Sequence, residues 1–172
     1  MPSFETKLFG LLTFDEDQVI HLRSGLPGLP HTNRLVPVSQ KTIEPFVFFQ
    51  SLEDASLCLL AVPLAVAKSD FELQLSSEDR REIDFGPAES TKSGKDVGAF
   101  ALVTVGEDRI PTANLLAPLV ICFRNNLAVQ AIQPVDESYL RYPIEATVAR
   151  EDTVTREDTV TREDTGAREE PC

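Results

Sequence analysis

His21 and His31, with Cys58, Cys122 and Cys172, are the residues of this chain best equipped for metal or nucleophilic chemistry, and their spacing supports neither. A zinc site needs four close donors, and no C-x-x-C or H-x-E spacing supplies them. Three cysteines without a paired spacing fit neither a disulfide framework nor a metal cluster. Cys58 and Cys122 lie inside apolar runs and read as small buried hydrophobes. His21 alternates with Ile20 and Leu22 and reads as a solvent-facing strand residue. His31 follows Pro30 in a loop. No G-x-S-x-G elbow, phosphate loop or G-x-G-x-x-G turn is present. The carboxylates of "DED" (15–17), "ED" (53–54) and "EDR" (107–109) sit in turns, where they are solvated rather than paired as acid and base. No catalytic, cofactor-binding or metal-binding residue is therefore expected, and the chain does not read as an enzyme. "GLPGLP" (25–30) fixes a backbone path through two Gly and two Pro, but proline removes the N–H groups that a phosphate cradle needs, so it reads as a rigid turn.

What remains for function is charge. The 172 residues carry 16 Lys and Arg against 28 Asp and Glu, a net charge of −12. Phosphate contacts need a basic face, so direct binding to nucleic acid is not expected. An anionic membrane surface is disfavoured likewise. A basic protein partner is allowed, because opposite fields steer encounter. From Arg150 the chain repeats "REDTVT", with four Arg and eight acids, so −8 of the total belongs to residues 1–149. The repeat holds too few apolar side chains to offset its ordering entropy. The expected division is a folded domain over 1–147 and a disordered acidic hexapeptide-repeat tail over 148–172. Truncation after Thr147 is expected to leave folding intact, and Cys172 to be exposed. No signal peptide or apolar run long enough for a membrane span is seen, so the expected compartment is the cytoplasm.

The elements that must carry these residues are short and β-like. "SFETKLF" (3–9), "QVIHL" (18–22) and "RLVPV" (34–38) read as strands, the last at an edge because of Pro37. "FVFFQSL" (46–52) and "LCLLAVP" (57–63) are apolar on both faces and read as central strands joined by the hairpin loop 53–56. "DFELQL" (70–75) alternates with Phe71, Leu73 and Leu75 inward. Ser76 and Asp79 form a capping pattern opening a helix of two turns at most, over "SEDRREI", which Gly86–Pro87 stops. "VGAFALVTV" (97–105) is a long strand with Gly98 as a bulge position, and "NLLAPLVICF" (114–123) resumes the sheet. Asn125–Asn126 reads as a two-residue hairpin turn before the next strand. The fold class is mainly β: an antiparallel barrel or closed sandwich with one or two short helices.

The order "FETKLFG", "GLPGL", "PFVFFQSLEDASLCLLAVP" (45–63), "FELQLS" (71–76), "ALVTVGED" (101–108), "TANLLAPLVI" (112–121) and the "YLRYPI" segment (139–144) resembles the flagellar assembly factor FliW family. The resemblance covers residues 3 to about 144. "QSLED" followed by "T-x-N-L-x-A-P" is its most specific part. The repeat tail departs from the family, as does Leu29, where the family more often has an aromatic residue. The resemblance implies a small antiparallel β-barrel-like domain and an adaptor without catalysis or cofactor. It also implies two mutually exclusive partners. One is the basic RNA-binding regulator CsrA, whose repression of flagellin translation such proteins relieve, and the other is flagellin itself.

A basic partner would meet acids. The candidates are the turns Glu53–Asp54 and Glu107–Asp108, Asp70 and Glu72 at a strand edge, and Glu78–Asp79 in the short helix. The free chain is expected to be a monomer. The alternative is a small-ligand-binding β-barrel without catalysis, which needs an open apolar cavity. A carboxylate-pair hydrolase is the third reading, and it needs two buried acids close together.

Overall fold

The computed structural model describes residues 1–91 and 94–144. Ten strands form: β1 (Ser3–Thr6), β2 (Gly10–Thr13), β3 (Ile20–His21), β4 (Arg34–Ser39), β5 (Val47–Ser51), β6 (Cys58–Pro63), β7 (Val97–Val105), β8 (Pro111–Cys122), β9 (Leu127–Gln130) and β10 (Tyr142–Pro143). Two short helices, α1 (Leu64–Ala67) and α2 (Ser77–Glu82), lie in the connection between β6 and β7. Strands β3 to β9 close into a seven-stranded barrel in the order β3-β4-β5-β6-β7-β8-β9. All neighbours are antiparallel except the closing pair, where His21 of β3 lies parallel to Leu127 of β9. The small mainly-β barrel with two short helices is as expected. The expected domain end at 147 and the disordered tail over 148–172 lie outside the described residues, as does Cys172.

Alternation sends one set of side chains into the barrel and the other outward. Leu35, Phe49, Ala61, Leu119, Ile121 and Ala128 fill the interior with Ile20, Leu22 and Leu26. The outward set is also covered. Val120 and Cys122 lie under Ile83 and Phe85, which follow α2, with Leu73 and Leu75 against the same cluster. Val36 lies with Phe4 and Phe14 beneath the β1–β2 hairpin. This double cover is why β5 and β6 read as apolar on both faces.

Several expectations are corrected. The segment 3–9 is not one strand: pairing stops at Thr6, and the chain returns as β2 through Gly10, whose φ of +66° favours glycine. Pro37 lies inside the barrel ladder, paired with Phe49. It is tolerated because β3 spans only two residues, so the other side of β4 has no ladder to break at Pro37. Residues 70–75 join no ladder, although Phe71, Leu73 and Leu75 are half-buried and alternate with exposed Glu72 and Gln74. The β8–β9 turn has four residues, since Cys122 pairs with Leu127, and within it Asn126 takes the expected positive φ of 55°.

The bulge lies elsewhere than Gly98. Phe100 pairs with Leu119 and Leu102 with Asn114, so residues 115–118 stand opposite Ala101. Asn114 Oδ1 accepts the Ala117 N–H at 2.9 Å, and Gln130 Nε2 donates to the Ala117 carbonyl at 2.8 Å. The "T-x-N-L-x-A-P" pattern thus encodes this bulge. In "GLPGLP", Leu26 and Leu29 exchange backbone hydrogen bonds around Pro27–Gly28, with Gly28 at φ +81°, the arrangement of a type II turn.

Candidate protein-binding surfaces

Strands β5 to β8 run up and down, so the β5–β6 and β7–β8 loops leave from one end of the barrel. The long 64–96 connection leaves from the other. This sorts the candidate acids into separate groups.

At the first end, "QSLED" is a wired loop. Gln50 is fully buried, and its Nε2 donates to the carbonyls of Ser51, Asp54 and Leu57 at 3.0, 3.2 and 3.1 Å. Ser51 Oγ accepts the N–H groups of Glu53 and Asp54, both at 3.1 Å. Glu53 accepts from the N–H groups of Asn33 and Arg34 at 3.3 and 3.1 Å and from Arg34 Nε at 2.8 Å. Burial pushes the Glu53 carboxyl up, but the Arg34 guanidinium and these N–H donors outweigh it and hold the group below the usual range. Asp54 accepts from the Ser56 hydroxyl and N–H at 2.6 and 2.8 Å, which lowers its pKa. Across this end, Glu107 is exposed and Asp108 Oδ1 accepts the Ile110 N–H at 3.1 Å.

The remaining acids belong to the 64–96 connection. Asp70 pairs with Lys68, whose ammonium lowers its pKa. Glu72 is exposed beside it. Both border a cleft of about 850 Å³ floored by Leu64, Phe71, Leu73, Gly98 and Phe100. Asp79 closes a capping box, accepting the Ser76 N–H at 2.9 Å while Ser76 Oγ accepts the Asp79 N–H at 3.0 Å. Glu78 is exposed in the first turn of α2. The eight acids therefore do not form one patch. Glu53 and Asp79 hold their own loops together, whereas Glu72, Glu78 and Glu107 present exposed carboxylates.

The apolar surface was not placed by sequence. At the end where β3, β5 and β7 begin, the barrel mouth opens as a hollow of about 480 Å³. Its floor is the deeply buried Ile20, Phe49 and Ile121, its wall Val47 and Phe100, and its rim Phe123 with Asp17 and Glu44. The signal was an aromatic residue just past the end of a strand, diagonal to a glycine of the neighbouring strand. A Cβ on Gly98 would overlap Phe123 Cζ, so Gly98 leaves the space in which that ring sits.

Among the described residues no Asp or Glu is buried and no group of metal-ligating side chains gathers. Cys58 is half-buried, and burial pushes its thiol up to about 11, so little of it is thiolate at neutral pH. No described helix is long and apolar enough to cross a membrane.

The family model described as FliW protein matches residues 3–144. The chain is 33% identical over 129 residues to the flagellar assembly factor FliW of Treponema denticola, covering 74% of this chain and 83% of that one. It is 31% identical over 146 residues to that of Treponema pallidum, covering 84% and 93%. The relative in Clostridium acetobutylicum is 29% identical over 141 residues, covering 81% and 96%. A crystal structure of the flagellar assembly factor FliW superposes with a TM-score of 0.68 at 20% identity, covering 84% of this chain and 96% of that one, a likeness of fold.

Proposed function

Because the chain belongs to the FliW family of flagellar assembly factors, we propose that it acts by holding proteins rather than by catalysis. It binds CsrA, relieving repression of flagellin mRNA translation, and it binds flagellin in exchange. Both encounters take place in the cytoplasm. The observation that carries this reading is the family match across residues 3–144, joined to a net charge of −8 on residues 1–149. An RNA-binding regulator is basic where it meets phosphate, so an acidic domain attracts it and repels its RNA. Glu72, Glu78 and Glu107 are the acids assigned first to that contact, with Asp54, Asp70 and Asp108 beside them. Glu53 and Asp79 shape the loops that present the others. The small-ligand reading loses ground because side chains fill the barrel interior.

The test mixes the purified chain with CsrA from the same cell, then adds flagellin as competitor. A complex is expected on gel filtration at low salt, weakening as salt rises and dissolving as flagellin is added. Failure to co-elute at low salt overturns CsrA binding. A complex indifferent to salt removes the electrostatic part alone.

A further inference from the structure

We propose that the barrel mouth is a docking site for a basic peptide segment that inserts a bulky aliphatic or aromatic side chain. The mouth grades from apolar to charged. Ile20, Phe49 and Ile121 lie deep, Val47 and Phe100 are half-buried, and Asp17 and Glu44 stand exposed on the rim. Its volume of about 480 Å³ falls among those of ligand sites.

The shape selects a chain segment over a small molecule. The mouth shares Phe100 and Phe123 with the cleft beside β7, and Pro45 and Phe46 with a second cleft lined by Val62, Val66 and Tyr142. The three hollows adjoin one another through these shared residues, and each is open to solvent rather than a closed chamber. Phe123 stands between two of them with 48% of its surface exposed. A half-exposed aromatic ring backed by a glycine is the kind of contact on which interface energy concentrates.

The charge selects a basic segment. The described lining of the three hollows carries Asp17, Glu44, Asp70 and Glu72 and no Lys or Arg; Asp70 is paired with Lys68 at the edge, which leaves Asp17, Glu44 and Glu72 as the acids that set its charge. Arg124 follows Phe123 but turns away, paired with Glu89 at 2.7 Å and lying over the Phe85 ring. Lys41 precedes Glu44 by three residues and is not part of the lining. Apolar anchors flanked by Lys or Arg complement such a groove. The acidic loop Glu107–Asp108 is at the opposite end of the barrel, whereas Asp70 and Glu72 belong both to this groove and to the acids assigned to CsrA. The proposal stands whether or not CsrA proves to be a partner.

The probe is a labelled amphipathic peptide of Leu and Lys, roughly 15 residues long, read by fluorescence anisotropy against the full chain. Two controls carry Leu with Glu, and Gly with Lys. The Leu/Lys peptide is expected to bind at least about tenfold tighter than either. Phe123→Ala is expected to weaken it about tenfold or more. Glu44→Lys, a change at an exposed side chain, is expected to weaken it as well, and Glu5→Gln, on the β1–β2 hairpin outside the three hollows, to leave it unchanged. Equal binding of the Gly/Lys peptide would reduce the effect to diffuse attraction and overturn the proposal. So would wild-type affinity in both Phe123→Ala and Glu44→Lys, or a small apolar dye filling the mouth while the Leu/Lys peptide does not compete.

Discussion

The carboxamide of Gln133 replaces a strand for Gln74. Gln133 Oε1 accepts the Gln74 N–H and its Nε2 donates to the Gln74 carbonyl, both at 2.9 Å. One buried side chain thereby satisfies both backbone groups of a segment that joins no ladder. Gln133→Leu keeps the bulk but removes both bonds, together with the one from Nε2 to the Ala131 carbonyl at 3.1 Å. Unfolding in urea should show a loss of about 1–3 kcal/mol. Hydrogen exchange at Gln74 should rise sharply while exchange in β5 stays slow. Unchanged exchange at Gln74 would show that the segment holds itself.

Glu53 gives the loop end a pH dependence. Its carboxyl is held below the usual range in the fold, so its contribution is fully present above the unfolded value and is lost as pH falls through the folded one. Stability should therefore decline below about pH 4. Asp54, Asp70, Asp84, Glu89 and Asp136, all likewise lowered, contribute in the same direction. Glu53→Gln should cost about 1 kcal/mol at neutral pH and flatten the acid limb of the denaturation curve. Parallel curves for the two proteins would refute the assignment.

How far the sequence carried the reading depended on whether the cause was local. Ser76 and Asp79 announced the capping box because both partners lie within one turn. Ile20, Leu35 and Phe49 announced their strands through runs that local spacing reveals. The β1–β2 hairpin stayed hidden because its turn is closed by Thr6, whose Oγ1 donates to the Gly10 carbonyl, and threonine reads as a strand residue. The segment 70–75 looked like a strand because its alternation is real; only its partner, Gln133, was invisible. The groove was not legible at all, since Ile20, Val47, Phe100 and Phe123 meet only when the barrel closes. The acids were visible as residues, but spacing could not show that Glu53 spends its oxygens on Arg34 and Asn33.

Gln50 tests the wiring behind that loop from inside. Its Nε2 faces three carbonyl oxygens, while its Oε1 has no protein partner and is buried. Gln50→Glu places a carboxyl where donors are required and acceptors crowd. Burial and the facing carbonyls raise its pKa in the fold, so the variant should be most stable below the ordinary carboxylate value and lose stability as pH rises. That slope opposes the wild-type one, and thermal melts at pH 4 and pH 8 suffice to see it. A variant more stable at pH 8 than at pH 4 would mean that the loop rearranges to supply a donor.

Gly98 and Phe123 should be coupled. A Cβ at residue 98 would overlap Phe123 Cζ and come within 2.9 Å of Cε2 and 3.2 Å of the Phe100 ring. Phe123 is half-exposed and can swing outward, whereas Phe100 is packed against the barrel core and cannot. Gly98→Ala should therefore fold, at a cost of about 1–2 kcal/mol, with the Phe123 ring displaced. In a Phe123→Ala background the same change should cost less, because only the Phe100 contact remains. A double-mutant cycle measures the difference directly, and a coupling of at least about 0.5 kcal/mol is expected for residues in contact. Strict additivity would mean that the ring does not rest on Gly98 in solution. The displaced ring in Gly98→Ala should also weaken the Leu/Lys peptide, although residue 98 itself contributes no side chain. That joint loss would separate a seat for the ring from a glycine kept only for its backbone.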